Sequence, residues 1–215
     1  MNRSGSLALR PLVLGLAIGL ALAGAERGEA QRAAAGPPDW PCVQRLIPEM
    51  AWGSLWTGPP LDELEQAWWE DEEIGRVVRF ATSRSTSEEQ ALERVRDFID
   101  SVEEEEAERR LTLLFAGLFE LTNRERRHAI EGIRQAARAQ MARLDTISSM
   151  VDELEARRAE ETADEREIER LSESLFWEQR TFQHRQQALP AMCDQPYLLE
   201  ERLARMVREI MTRMP

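Results

Sequence analysis

The sequence contains no lysine, so arginine accounts for all 28 of its basic residues. The 40 aspartates and glutamates outnumber these arginines, and the formal net charge is -12 at pH 7. Phosphate backbones and anionic headgroups repel an acidic chain, which argues against nucleic acid or an anionic membrane as the main partner. The complete absence of lysine is typical of a GC-rich coding sequence and favours a bacterial origin.

The motifs of common catalytic and phosphate-binding sites are also missing. The sequence has no G-x-S-x-G, H-E-x-x-H, P-loop, G-x-G-x-x-G or EF-hand pattern. Its two histidines, His128 and His184, fall at outward positions of predicted helices. They lie roughly 16 Å apart along the helix axis, too far to share a metal ion. The sequence therefore predicts a protein that is not an enzyme and has no cofactor.

Long apolar runs are missing everywhere except near the N-terminus. Arg3 and Arg10 precede an apolar run over residues 11–22, and Ala23-Gly24-Ala25 follows as a small-residue cleavage site. This order predicts a secretory signal peptide over residues 1–25, with cleavage possible after residue 30. Its removal takes away two arginines and gives a net charge of -14. We expect export to the periplasm by the general secretory route; an uncleaved N-terminal anchor is the alternative.

Cysteine is scarce, with only Cys42 and Cys193 in the whole chain. Two distant cysteines in an oxidising compartment predict a disulfide, which would disfavour the unfolded state by about 5 kcal/mol. The alternative is a pair of thiolates that binds a soft metal such as Cu(I), with the neighbouring Met192 as a further ligand.

Proline and tryptophan are concentrated in one region of the chain. Residues 26–60 hold a high density of proline, which prevents long helices, together with too much apolar surface for a disordered tail. We interpret this segment as an extended strap tied down at Cys42. Five of the six tryptophans lie between positions 40 and 69. Tryptophan is a common interface anchor, and the candidate interface consists of Trp52, Trp56, Trp68 and Trp69.

Helical periodicity dominates residues 61–215. A first short helix is predicted to open with Leu61, Leu64 and Trp68, and a second to follow Asp71 as its cap. Capping boxes are predicted at residues 86–89 and 122–125. Between them, the apolar run over residues 111–121 predicts a central helix of the head. A final helix is predicted to start near Gln195, with Pro196 at its first position.

A heptad pattern begins after the second predicted capping box. Seven of the eight seam positions from Ile130 to Leu154 are apolar, and only Gln140 is polar. A charged turn near residues 160–164 separates this helix from a return helix with a weaker seam. The pattern predicts a coiled-coil-like antiparallel hairpin over residues 123–191. The predicted fold is therefore all-α, with a strap, short helices that form a head, the long hairpin and a C-terminal helix.

Two classes of function fit these features. The first is a non-catalytic accessory or chaperone-like protein that holds another periplasmic protein or associates with itself. It follows from the long amphipathic hairpin and the missing catalytic motifs. The alternative is a periplasmic protein that binds a small ligand or a copper-type metal ion through the Trp-rich head or the Cys/Met pair.

Overall fold

The computed structural model describes residues 36–162 and 164–214. The chain divides into two units, Met1–Pro38 and Asp39–Pro215, and the fold described below is that of the second. The predicted signal peptide and the first residues of the predicted strap lie outside the described residues.

The described residues of the second unit form four α-helices. These are α1 (Glu72–Ala81), α2 (Glu88–Ser101), α3 (Glu104–Ala159) and α4 (Glu165–Met211). Three single 3₁₀ turns precede them, at Trp52–Ser54, Leu61–Glu63 and Trp68–Glu70. The described residues include no β-strand. The predicted all-α fold is confirmed, and its long hairpin is formed by the antiparallel pair of α3 and α4.

Local capping signals position the first two helices. The side chain of Asp71 accepts hydrogen bonds from the backbone N–H groups of Glu73 and Ile74, as its predicted role as a cap requires. Ser87 and Gln90 form a reciprocal capping box at the start of α2. The box predicted at residues 86–89 is thus shifted by one position. Both caps satisfy backbone donors that have no partner inside the helix.

The head is a single apolar core between α1, α2, the first third of α3 and the end of α4. The run predicted to form its central helix lies at the centre, with Leu111, Leu114 and Leu118 fully buried. The indole of Trp56 stacks on Phe115 with ring centroids 4.3 Å apart. The tryptophan-bearing segment is therefore part of the core of the head.

Two predicted helix starts are wrong. The helix expected to begin at the capping box of residues 122–125 is instead the middle of α3. Thr122 and Asn123 are buried there, and Asn123 accepts a hydrogen bond from the backbone N–H of Met50. Since these side chains serve tertiary contacts, the local capping signal does not interrupt the helix.

The C-terminal helix does not start at Pro196 either, because α4 runs through both Pro190 and Pro196. Each proline removes one backbone hydrogen bond from a helix interior. Packing around the two sites compensates for this cost: Leu189 and Pro196 are buried, and Cys193 between them is cross-linked. The prediction of a first short helix is also wrong, since Leu61 and Trp68 belong to two separate 3₁₀ turns.

Polar contacts fix the register of the hairpin, whose exposed part beyond the head is called the stalk below. Gln140, the polar residue in the predicted seam, is buried and donates to the backbone carbonyl of Phe182 at 3.1 Å. Arg143 forms an ion pair with Glu178 one turn further along. The two arms turn between Ala159 and Glu165. Residue i of α3 therefore lies beside about residue 322 minus i of α4.

Candidate interaction surface

The strap docks on the base of the hairpin through a disulfide between Cys42 and Cys193, whose Cα atoms are 5.6 Å apart. Cys42 and Trp40 pack on Ile130 and Ile133 of α3 in a small apolar cluster separate from the head core. The indole N–H of Trp40 donates to the carbonyl of Gln44 at 2.7 Å, so its burial leaves no polar atom unpaired. The bond and the cluster together hold the strap against both arms.

Ion pairs extend this contact towards the stalk. The carboxylate of Asp39 accepts hydrogen bonds from Arg134 at 2.9 Å and from Arg138 at 2.6 Å. Desolvation raises the pKa of Asp39, but the hydrogen bonds and charges of the two guanidinium groups outweigh it and lower that pKa below its usual value. Asp39 is therefore held as an anion near the start of the described part of the strap.

Arg126 connects a later part of the strap to the hairpin. This buried residue of α3 forms an ion pair with Glu200 of α4 and donates to the carbonyl of Pro48 at 3.3 Å. Nearby, the N–H of Met50 donates to Asn123 at 3.2 Å. From Asp39 to Met50 the strap thus runs along α3 towards the head, antiparallel to the helix.

The four tryptophans proposed as an interface have different environments. Trp56 and Trp68 are buried in the head core, and Trp68 also donates to Glu120 at 2.8 Å. Trp52 is half-buried against the same core. Trp69 is 56% exposed, with its ring edge on Trp68. Packing of the strap onto the head uses the rings of Trp56 and Trp68, so neither is exposed on the surface of the single chain.

A different group of apolar side chains is exposed halfway along the stalk. It consists of Met141 at 44% and Leu144 at 53% on α3, with Phe176 at 54% and Trp177 at 56% on α4. The rings of Phe176 and Trp177 meet edge to face at 5.4 Å. By the hairpin register, Phe176 and Trp177 lie beside residues 145 and 146 of α3. The register thus places these four residues in the same part of the stalk, and they are called the mid-stalk patch below.

Sequence reasoning missed this patch for two reasons. The heptad pattern predicts Leu144 in the buried seam, whereas the structure leaves it half-exposed. Phe176 and Trp177 occupy positions directly after the seam residue Leu175, which the heptad pattern places on the outer side of α4. Two adjacent aromatics at outward heptad positions were the signal in the sequence that could have identified the surface.

A cleft of about 630 Å³ lies at the base of the hairpin. Its walls mix apolar residues such as Leu199 with charged ones such as Arg202. Desolvation lowers the pKa of Arg202, and the nearby Glu88 offsets part of that effect. The exposed His128 lies at the edge of this cleft, far from the exposed His184 on the stalk.

The copper-type alternative requires Cys42 and Cys193 as two free thiolates. Both sulfur atoms that it needs as thiolates are joined in the disulfide. Within the described ranges, no group of three or more histidine, cysteine or acidic side chains is placed to hold a metal ion.

Neither protein-family models, nor curated proteins, nor solved structures give a match to this chain. No helix in the described part of the chain combines the length and apolar character needed to cross a bilayer. The disulfide and this finding are compatible with an exported protein.

Proposed function

We propose that this protein is a non-catalytic helical accessory protein of the periplasm that binds another protein chain through the mid-stalk patch. One observation carries the proposal: two α3 residues and two α4 residues at the same level of the stalk are each about half-exposed. Together they present roughly 400 Å² of apolar surface, the size of patch that commonly marks a protein–protein contact. Aromatic residues and methionine are also the types enriched at such contacts.

The surrounding architecture supports the same proposal. The strap, its disulfide and the ion pairs of Asp39 anchor the stalk to the head. A stalk anchored in this way presents its patch on two regular helices, which limits the entropy lost on binding. Export is supported by the N-terminal sequence pattern and by the disulfide, since such bonds persist outside the reducing cytosol.

Site-specific photo-cross-linking in the exporting cell tests the proposal. A benzophenone amino acid at position 144 should give covalent adducts with a protein chain, because Leu144 lies in the patch. The same probe at position 149 is the matched control. Ser149 is exposed on the same helix, but it lies at heptad position f, on the side of α3 that points away from the other arm. Equal adduct yields at both positions, or none at position 144, would refute the proposed binding surface.

A further inference from the structure

We infer that the chain covering the mid-stalk patch is a second copy of this protein, packed antiparallel along the first. The inference depends on the proposed function and adds the identity of the partner. Three observations carry it: the side of the hairpin on which the patch lies, the distribution of charge along the stalk, and the area available for contact.

Three of the four patch residues lie on one side of the hairpin. In the heptad frame of the seam, Leu144 is at position a, Met141 at position e and Phe176 at position b. Positions e and b lie on the same flank of the seam, and that flank of two antiparallel helices faces the same side of the pair. Trp177 extends the patch around α4 through its contact with Phe176. A symmetric dimer needs such a patch, because both copies present the same surface to each other.

Charge along the stalk is strongly polarised on either side of the patch. The distal segment, residues 152–173, has ten acidic residues and four arginines. The two middle segments, residues 141–150 and 174–183, together have two acidic residues and two arginines. Of these, Arg143 is already paired with Glu178. The base, formed by residues 39–50, 126–140 and 184–195, has six arginines and four acidic residues, and its Arg126 is also paired with Glu200. The stalk thus changes from strongly negative at its tip to slightly positive at its base.

This polarity selects one orientation. Two stalks packed parallel would bring two strongly acidic tips together, and like charges at close range oppose association. Packed antiparallel about the level of residue 145, each acidic tip lies beside the arginine-rich base of the other copy. The turn and the base are each about 25 Å from that level at 1.5 Å per residue, so the opposite charges come into register.

The available area is sufficient for a stable dimer. The mid-stalk patch supplies roughly half of the ~800 Å² that each partner buries in a standard interface. The side chains of the stalk on either side of it would supply the rest, because two helical arms lie along one another over several turns. Polar and charged residues around an apolar centre give the composition expected of such a contact.

A pair of matched tryptophan variants tests the dimer with the full exported chain in its oxidised form. By sedimentation, Trp177→Ser should raise the dimer dissociation constant at least about thirtyfold. Trp69→Ser is the control: Trp69 is also 56% exposed and also meets an aromatic neighbour edge to face, but it lies in the head. It should leave the constant unchanged. A monomeric wild-type chain at about 100 µM, or equal effects of both variants, would overturn the inference.

The absence of lysine provides a test of the orientation. Arg45 is exposed on the strap between the cross-linked Cys42 and Pro48. Arg45→Lys therefore introduces one amine at the base of the stalk without a change of charge. The tip of the same copy's stalk lies roughly 50 Å from position 45. A zero-length carbodiimide link from position 45 to a carboxylate of residues 160–167 must therefore join two copies packed antiparallel. Recovery of this linked peptide from the dimer is expected, and a dimer without it would overturn the antiparallel arrangement.

The experiments separate this inference from the proposed function. A monomeric chain that still gives photo-adducts with a different protein from position 144 would overturn the second copy and support the proposed binding surface. Failure to obtain any adduct from position 144 would remove both. Adducts at twice the mass of the chain support both together.

Discussion

Replacement of Cys42 and Cys193 by alanine should lower the free energy of unfolding by about 4 kcal/mol. The bond spans 151 positions of sequence, and release of so long a loop increases the entropy of the unfolded chain. In the folded state the strap would keep its small apolar cluster, its ion pairs, its hydrogen bonds to α3 and the packing of Trp56 in the head core. Chemical denaturation of the oxidised wild type and of the double variant measures the difference.

Reduction of the disulfide supplies the control for this change. The wild type under a reductant should unfold at the same denaturant concentration as the double variant, and the variant should not respond to the reductant. A loss below about 1 kcal/mol would mean that the strap is held mainly by Asp39, Arg126 and their partners, in contradiction to the role given to the bond.

The second large effect is expected at Gly117 in the head. A Cβ atom at this position would lie 2.7 Å from Val78 and 2.8 Å from Trp68, both closer than side chains approach one another. Gly117→Leu should therefore destabilise the protein by about 3 kcal/mol, because the overpacked core must shift a buried indole. Thermal or chemical denaturation, with near-ultraviolet dichroism to report the tryptophans, measures the effect.

Gly132 in the same helix is the matched control. A Cβ atom there would meet nothing within 4 Å, so only helix propensity changes. Gly132→Leu should stabilise the protein by about 0.7 kcal/mol, since leucine is a better helix former than glycine. Similar losses at both positions would contradict the close packing of α3 on Trp68.

The fold could largely be predicted from the sequence where local and tertiary signals agree. Asp71 caps a helix through one carboxylate oxygen while the other meets Arg110 at 3.5 Å, so the local and the tertiary contact do not compete. The apolar stripe of α2 is buried as its periodicity indicates. The charged turn near residues 160–164 separates the two arms as expected. In these elements the residue types needed for the helix and for packing are the same.

The predictions failed where tertiary contacts outweigh local signals. Asn123 resembles a cap in the sequence, yet the strap uses its side chain as an acceptor in the middle of α3. Pro196 resembles a helix start, yet it is buried inside α4 beside the cross-linked Cys193. Neither contact can be read from the local sequence, because each joins segments far apart in the chain.

The exposure of candidate surface residues depends on tertiary contacts of the same kind. The tryptophan density predicts an interface on the head, whereas the strap segment folds inwards and buries Trp56 on Phe115. On the stalk, Leu144 matched the heptad pattern of a buried residue, and only the packing of the two arms leaves it half-exposed. Patterns of residue type predict which side chains are apolar, whereas the arrangement of neighbouring elements decides which of them remain uncovered.

Hydroxyl-radical labelling of Trp177 and Trp69 in intact cells that produce the protein tests the central claim most directly. Each indole is 56% exposed in the single chain and meets an aromatic neighbour edge to face, so their intrinsic rates of oxidation should be similar. If a partner covers the mid-stalk patch, Trp177 should be oxidised several times more slowly than Trp69, and the two rates should become equal after unfolding. Equal rates in the folded, exported protein would contradict the account.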